Sequence, residues 1–406
     1  MKALSLLTNK AVYVETFGCA YNAGDTRKFV EVLKSAGCTI VEDPINADAV
    51  FLNTCNVTER TERKILRRII ELKGKPIFLS GCLVKTSEER LREISNPTII
   101  DPDEIREEYK KISTVSESSV AIIQIASGCT GLCSYCSTKL ARGDLKSIQI
   151  HEILNEVRLS VLKGAVEIQL TAQDVSSWGL DIQSDLSTLL KEISLVPGDF
   201  LVRTGMMNPL TLKKRIDDIK TIFSYDKIAR FLHMPVQSGS DTILAKMNRG
   251  YTIKEVYEVL ATFRDAYPDI TFITDMIVGF PGENEDDFKK SLDFISNAHP
   301  NKVNITRYSQ RKGTKAENLR DTLERTKKER SREMFRIATL VAHRMNHEMI
   351  NKVVPFIVTE QVKRGSAVGR TPSYQMIVLP EEFPSGYRGY ARITGEKVYY
   401  FTANHN

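Results

Sequence analysis

The chain has 406 residues, 42% of them hydrophobic and 27% charged, with a formal net charge of +6. That length is too great for one ordinary domain and points to two or three, each with enough apolar material for a core. No apolar run approaches the ~18 residues needed to cross a bilayer, which argues against a membrane-spanning helix. The stretch Met1–Leu7 is too short for a secretory segment and has no cleavage site, so a cytoplasmic protein is expected. In that reducing setting seven cysteines are more readily metal ligands than disulfides. The mild positive charge permits an RNA partner without requiring one.

The first hundred residues repeat one grammar: a short apolar, β-branched run, then a cysteine, then a polar helical segment. Ala11–Phe17 leads to Gly18-Cys19, Ala49–Thr54 to Cys55, and Pro76–Ser80 to Gly81-Cys82. Helices are predicted over Asp25–Ser35, over Thr58–Lys73, and from a capping box formed by Thr86 and Glu89. Strands alternating with helices imply parallel βαβ units, a Rossmann-like sheet whose carboxyl ends share one edge. Cys19, Cys55 and Cys82 are therefore predicted to meet at that edge, where open α/β sheets bind ligands. For any one of them, a small apolar thiol packed at a strand end is an equally good account. Cys38, after Gly37 at a helix end, lies outside the repeat and reads as a packed thiol.

Residues 102–117 turn charged and read as a linker or surface helix. Beyond them an apolar run, Val120–Ala126, ends in Cys129-Thr-Gly-Leu-Cys133-Ser-Tyr135-Cys136. Zinc usually takes four Cys or His ligands, and no fourth lies nearby. Three thiolates on a 4Fe–4S cluster leave one iron open to a substrate or cofactor, which makes this spacing a chemical site.

Six apolar runs then alternate with helical segments: Val120–Ala126, Val166–Thr171, Leu201–Thr204, Ile228–His233, Ile270–Val278 and Lys302–Tyr308. One helix opens on the capping pair Thr252 and Glu255. The alternation predicts a partial, six-unit relative of the (β/α)8 barrel, with reactive groups at the strand carboxyl ends. Polar clusters stand there: Gln173-Asp174, Arg203 to Pro209, His233 to Gln237 and Ser240, Gly279 to Gly282 and Glu283, and Tyr308 to Arg311. His233 taken alone reads as a packing residue.

A charged amphipathic helix is expected from Thr322 towards Asn351, with Phe335, Leu340 and Val341 on its apolar stripe. The last segment has short β-rich runs at Val353–Thr359, Tyr374–Leu379, Gly389–Thr394 and Lys397–Thr402, the pattern of a small closed barrel of OB-like type. Lys363, Arg364, Arg370, Arg388 and Arg392, interleaved with Tyr374 and Tyr387, form a candidate phosphate and base-stacking surface. The helix over Thr58–Lys73, with six Lys or Arg, is a second candidate RNA face.

The CxxxCxxC spacing with Tyr135 before its last cysteine resembles the radical S-adenosylmethionine (SAM) signature. Along nearly its whole length the chain resembles radical SAM methylthiotransferases. The resemblance is carried by Phe17-Gly-Cys19-Ala-Tyr-Asn22, Asn53-Thr-Cys55, Ser80-Gly-Cys82, His233-Met-Pro-Val-Gln-Ser-Gly-Ser240 and Thr274-Asp-Met-Ile-Val-Gly-Phe-Pro-Gly-Glu283. It implies three domains: 1–110 with an auxiliary cluster, 118–350 as a partial (β/α)6 radical SAM barrel, and 351–406 as a TRAM domain. It also implies two 4Fe–4S clusters, an auxiliary one on Cys19, Cys55 and Cys82 and a SAM-cleaving one on Cys129, Cys133 and Cys136. SAM contacts are expected from Tyr135, Gln173, Arg203, Gln237, Gly279 and Gly282.

The run Cys136-Ser-Thr-Lys-Leu-Ala-Arg142-Gly143, with Gly205-Met-Met-Asn-Pro209, is most similar to the archaeal and eukaryotic threonylcarbamoyladenosine branch. That branch inserts a methylthio group at C2 of N6-threonylcarbamoyladenosine at position 37 of tRNA. The alternatives are the same chemistry on isopentenyladenosine tRNA or on a ribosomal-protein aspartate, and, in a different class, a non-catalytic RNA-binding iron–sulfur redox sensor. The sequence departs from the usual family pattern at Gln310 and Lys312 beside Arg311. Further implied partners are an electron-donor protein and a sulfur donor, with no membrane and a monomer expected.

Overall fold

A computed structural model describes residues 2–112, 114–363 and 365–406, with the side chains of Lys2 and of residues 361–363 excepted. Ala11–Thr16 (β1), Thr39–Val41 (β2), Ala49–Thr54 (β3), Ile77–Gly81 (β4) and Thr98–Ile99 (β5) form a parallel sheet in the order β2-β1-β3-β4-β5. Every residue of β3 is buried, as a central strand covered on both faces must be. The three strands that lead into cysteines, β1, β3 and β4, are immediate neighbours.

The helices here differ from the predicted ones in their bounds, the first and third starting earlier and the second lying within its predicted span. After a short helix at Lys2–Ser5, the first of the predicted helices is Ala20–Ser35, with Cys19 at its N-cap. The second, Glu59–Glu71, is capped by Thr58, whose hydroxyl accepts from the Thr61 amide at 3.2 Å. The expected capping box at Thr86 is absent, because the helix already starts at Cys82 and runs to Ser95 with a kink at Ser87. Thr86 instead donates back to the Cys82 and Leu83 carbonyls, the bent-helix use of a hydroxyl. The charged stretch after residue 101 holds a helix, Pro102–Lys110, capped by Asp101 with proline in its first turn.

Val120–Gln124 (β6) starts the second unit. A short antiparallel ribbon, Ala126–Ser127 (β7) with Lys146–Ser147 (β8), closes the base of the cysteine loop. Glu167–Thr171 (β9), Leu201–Thr204 (β10), Phe231–His233 (β11), Thr271–Val278 (β12) and Lys302–Arg307 (β13) complete the predicted six parallel strands. They form two three-stranded sheets, β10-β9-β6 and β11-β12-β13, joined by a parallel bridge between Val202 and Ile228. Trp178, Phe200, Phe263, Phe272 and Phe294 are fully buried in the largest core. Each such side chain contributes on the order of 1.5–3 kcal/mol of transfer free energy. Thr252 and Glu255 form the predicted capping box.

The long helix is Glu324–His347, and its phase corrects the predicted stripe. Met334, Ala338, Val341 and Ala342, spaced at helical turns, face the core, whereas Phe335 and Leu340 are exposed. The C-terminal strands Val353–Lys363 (β14), Ser366–Arg370 (β15), Met376–Leu379 (β16), Arg388–Glu396 (β17) and Phe401–His405 (β18) close into a barrel, β14-β15-β16-β18-β17. No helix among the described residues is long and apolar enough to cross a membrane.

Candidate active site

The sheet edge carries the first group. Cys55 and Cys82 directly follow β3 and β4, and Cys19 lies three residues beyond β1. Their thiols are close enough to influence one another electrostatically, Cys55 with both Cys82 and Cys19. Cys55 and Cys82 are buried while Cys19 is exposed, so the group opens towards solvent on one side. Burial pushes the Cys55 thiol up to about 11, partly offset by the Val57 amide. Gly18, at φ +105°, approaches so closely that a Cβ there would sit 2.7 Å from Cys55 Cβ. Cys38 packs elsewhere, its Sγ 2.9 Å from the Leu7 carbonyl.

The second group is the loop beyond β7. Cys129 Sγ accepts from the Gly131 amide at 3.2 Å, and Cys136, the N-cap of helix Ser137–Arg142, accepts from the Lys139 amide at 3.4 Å. Cys133 Sγ lies 3.0 Å from Nη1 of Arg249. Burial pushes the Cys129 thiol up to about 11. Among the described residues, no three His, Cys, Asp or Glu side chains converge tightly enough to hold a single metal ion. A cuboidal cluster places each thiolate on a different iron and asks for wider spacing.

The two groups share one interface. Helix Ser137–Arg142 packs on helix Cys82–Ser95, and the Ser137 hydroxyl reaches the Asn56 carbonyl. Arg142 Nη2 donates to Asp25 Oδ2 at 2.7 Å and Asn22 Oδ1 at 2.9 Å, and its guanidinium lowers the neighbouring Cys82 thiol against the upward push of burial. Gln124 Nε2 ties the Tyr21 carbonyl and Asp25 Oδ1 to β6. A second tie runs from Arg311 Nη1 to Glu62 Oε2 at 2.6 Å, which gives the departing Arg311 loop an interdomain role. Asp25 and Arg249 were not singled out from sequence. Arg249 sits in Asn248-Arg-Gly-Tyr251 just before the Thr252 cap, and that position was its one available signal.

The expected SAM contacts divide. Tyr135, within the cysteine loop, is partly buried, its ring 6.1 Å from that of Phe280. Gln173 Oε1 is buried without a partner near the end of β9. Gln237 has a positive φ of 76° and links to β12 through the Asp275 carbonyl and the Ile277 amide. Gly279 and Gly282 also have positive φ, but their Cβ directions are filled by Lys327 and Lys246. The left-handed backbone accounts for both glycines, and the Lys327 stem packed on Gly279 adds a second reason there. Arg203 lies low in the barrel, 4.8 Å over the Phe231 ring and in the field of Tyr374, Glu167 and Asp275. It belongs to the floor rather than the rim. His233 is hydrogen-bonded to Asp275 at 2.6 Å, and Asp275 also accepts from Asn304.

Of the candidate RNA surface, Arg370 is turned inwards, whereas Arg388 and Arg392 are exposed. Arg370 stacks on Tyr374 at 4.7 Å and approaches Glu167 at 3.7 Å. Arg388 pairs with Asp199 at 2.5 Å, joining the C-terminal barrel to the central unit, and Arg392 donates to the Asn351 carbonyl. Arg364 lies outside the described residues, as does the side chain of Lys363. On helix Glu59–Glu71, by contrast, Arg60, Lys64 and Arg67 are exposed.

Residues 123–295 match the Radical SAM superfamily, and residues 11–100 match an uncharacterized protein family, UPF0004. A probable threonylcarbamoyladenosine tRNA methylthiotransferase of Pyrococcus horikoshii is 37% identical over 397 residues, covering 91% of this chain and 93% of its own. The chain belongs to the tRNA methylthiotransferase family. Within that family, the zebrafish (Danio rerio) threonylcarbamoyladenosine enzyme is 29% identical, covering 91% of this chain and 73% of its own. A Geobacter sulfurreducens tRNA-2-methylthio-N(6)-dimethylallyladenosine synthase is 31% identical, covering 98% and 92%. In fold, the radical SAM methyltransferase TsrM of Kitasatospora setae superposes with a TM-score of 0.55 at 12% identity, covering 76% of this chain and 74% of its own.

Proposed function

We infer that this methylthiotransferase acts on N6-threonylcarbamoyladenosine in tRNA, inserting a methylthio group at C2 of adenine at position 37. The observation that carries the chemistry is the joining of two all-thiol triads across one interface, through Arg142 and the packing of helix Ser137–Arg142 on helix Cys82–Ser95. The substrate reading is supported by the identity to the archaeal threonylcarbamoyladenosine proteins, 32–37%, against 31% for the dimethylallyladenosine relatives.

We assign one 4Fe–4S cluster to Cys129, Cys133 and Cys136 and one to Cys19, Cys55 and Cys82. The donor set fits: each triad is purely thiol, and in the loop two amides and a guanidinium point at the sulfurs. When bound, these clusters and SAM supply reductive cleavage to a hydrogen-abstracting radical and the sulfur that is transferred. The chain's own residues do the rest. Tyr135 packs the cysteine loop onto Phe280 and keeps water from its inner side. Gln173, with a free buried oxygen, and Gln237 at the rim are the polar groups placed to orient SAM. Hydrogen-atom abstraction asks for no strong general base, in keeping with six histidines in the chain.

We further propose that residues 1–110, 118–350 and 351–406 divide the work as sulfur-carrying, radical-forming and RNA-holding units, in a cytoplasmic monomer served by an external electron donor. Anaerobic reconstitution, then SAM, dithionite and tRNA carrying threonylcarbamoyladenosine, tests the reading. The expected products are 5′-deoxyadenosine and a methylthiolated nucleoside by mass spectrometry. A fully loaded protein that forms neither is not this enzyme.

A further inference from the structure

Each thiol triad is accompanied by a buried arginine, and the two arginines differ in how their charge is balanced. Arg249, beside Cys133, gives its other donors to neutral oxygens: Nε to the Tyr251 hydroxyl at 2.8 Å and Nη2 to the Pro235 carbonyl at 3.0 Å. Among the described residues its hydrogen bonds go to no carboxylate, so a full positive charge rests against the sulfur. Asp174, the carboxylate that influences Cys129, directs Oδ1 to Ser176 and to the Asn208 amide instead. Arg142, beside Cys82, is paired with Asp25 at 2.7 Å, with side chains only 3% and 1% exposed. Arg311, which influences Cys55, is likewise paired with Glu62.

We propose that this asymmetry sets the order in which the two clusters accept an electron, with the loop cluster at Cys129, Cys133 and Cys136 taking it first. Reduction adds one negative charge. An unbalanced cation in contact with a ligand sulfur stabilises the reduced form, the more so where water is excluded. A tight arginine–carboxylate pair presents a nearly cancelled field and leaves the auxiliary cluster harder to reduce. Arg249 and the Arg142–Asp25 pair are thus positioning residues for the electron: it is delivered where SAM is cleaved and is not trapped on the sulfur-donating side.

The proposal rests on the cluster assignment above, and the experiment separates the two. Iron and sulfide content of the reconstituted full chain tests the assignment; a parent protein without two clusters overturns that reading. Redox titration followed by electron paramagnetic resonance tests the order. Single-cluster backgrounds, Cys55→Ala for the loop cluster and Cys133→Ala for the auxiliary one, resolve the two signals. Arg249→Gln is expected to lower the reduced-to-oxidised ratio of the loop cluster about tenfold at fixed potential, a shift of about 59 mV for one electron. Arg249→Lys, which keeps the charge, is expected to recover most of it. Asp25→Asn leaves Arg142 unbalanced and is expected to raise the auxiliary potential by a similar amount. Unchanged potentials in loaded Arg249→Gln overturn the proposal. If Arg249→Gln cannot be loaded, Asp25→Asn decides alone, and an auxiliary potential that stays or falls overturns it.

Discussion

The hydroxyl of Tyr374, in the turn between β15 and β16, is hydrogen-bonded to the carboxylate of Glu167 at the start of β9. The contact places the C-terminal barrel against the floor of the central one. The Tyr374 ring lies 5.1 Å from Phe231, the Pro372 carbonyl accepts from the Arg230 amide, and Ile357 joins Leu201, Ala229 and Phe231 in one apolar cluster. Removing residues 353–406 would therefore bare that floor and strand Glu167, which is fully buried. Such a truncation is expected to unfold or loosen the central barrel, seen as lost protease resistance. Tyr374→Phe, which only deprives Glu167 of a donor, is expected to cost about 1–3 kcal/mol in denaturant unfolding.

Iron analysis separates the triads. Cys19→Ala, Cys55→Ala or Cys82→Ala is expected to lose about half the iron while keeping uncoupled SAM cleavage, and Cys129→Ala to lose cleavage itself. Cys38→Ala, whose buried sulfur bonds the Leu7 carbonyl, should leave iron unchanged. Loss of a cluster in Cys38→Ala would contradict the assignment.

The raised thiols predict a pH dependence for the metal-free protein. Cys55 and Cys129 titrate near about 11, against 9.0 for an ordinary thiol. Both stay protonated in the fold where an unfolded chain would ionise, so their share of apo stability is present below pH 9 and is lost as pH rises towards about 11. Alkylation of these two thiols at pH 8 should be slow and rise about tenfold per pH unit. Cluster binding needs the thiolates and releases protons, so loading should improve as pH rises over the same range. A rise of only about tenfold between pH 8 and pH 10, which an ordinary thiol would give, would disprove the shift.

The exposed cations of helix Glu59–Glu71 make the better RNA test. If Arg60, Lys64 and Arg67 each contact a phosphate, replacing all three with Gln should flatten the salt dependence of tRNA binding by about two to three units of log K per log salt. Arg370→Gln should instead lower stability, because its guanidinium faces Tyr374 and Glu167. A parent slope in the triple variant would remove this helix from the RNA surface.

Much of the fold was legible because it is written in local patterns. The βα alternation and the cysteines at equivalent strand ends placed Cys19, Cys55 and Cys82 along one edge, and the Thr252–Glu255 cap announced its helix. What escaped depends on side chains from distant segments finding each other. Asp25 lies 117 residues from Arg142, and Arg249 lies 116 from Cys133, separations that no periodicity encodes. The inward turn of Arg370 and the surface pairing of Arg388 with Asp199 were hidden for the same reason, since composition reports a cation but not the carboxylate opposite it. Phe335 and Leu340 misled because hydrophobicity was read without helical phase.

The neighbouring positions of β1, β3 and β4 bear on the sequence of events during folding. Lateral placement of Cys19, Cys55 and Cys82 depends on backbone hydrogen bonds that hold parallel strands about 4.8 Å apart. Those pairings join distant segments and form slowly. Cys129, Cys133 and Cys136 share eight consecutive residues and can gather as soon as their loop is made. A nascent chain is thus ready to capture iron at the loop before the sheet has built its other receptacle. Pulsing iron and sulfide early in refolding should yield molecules loaded at the loop alone, and simultaneous loading of both would refute that order.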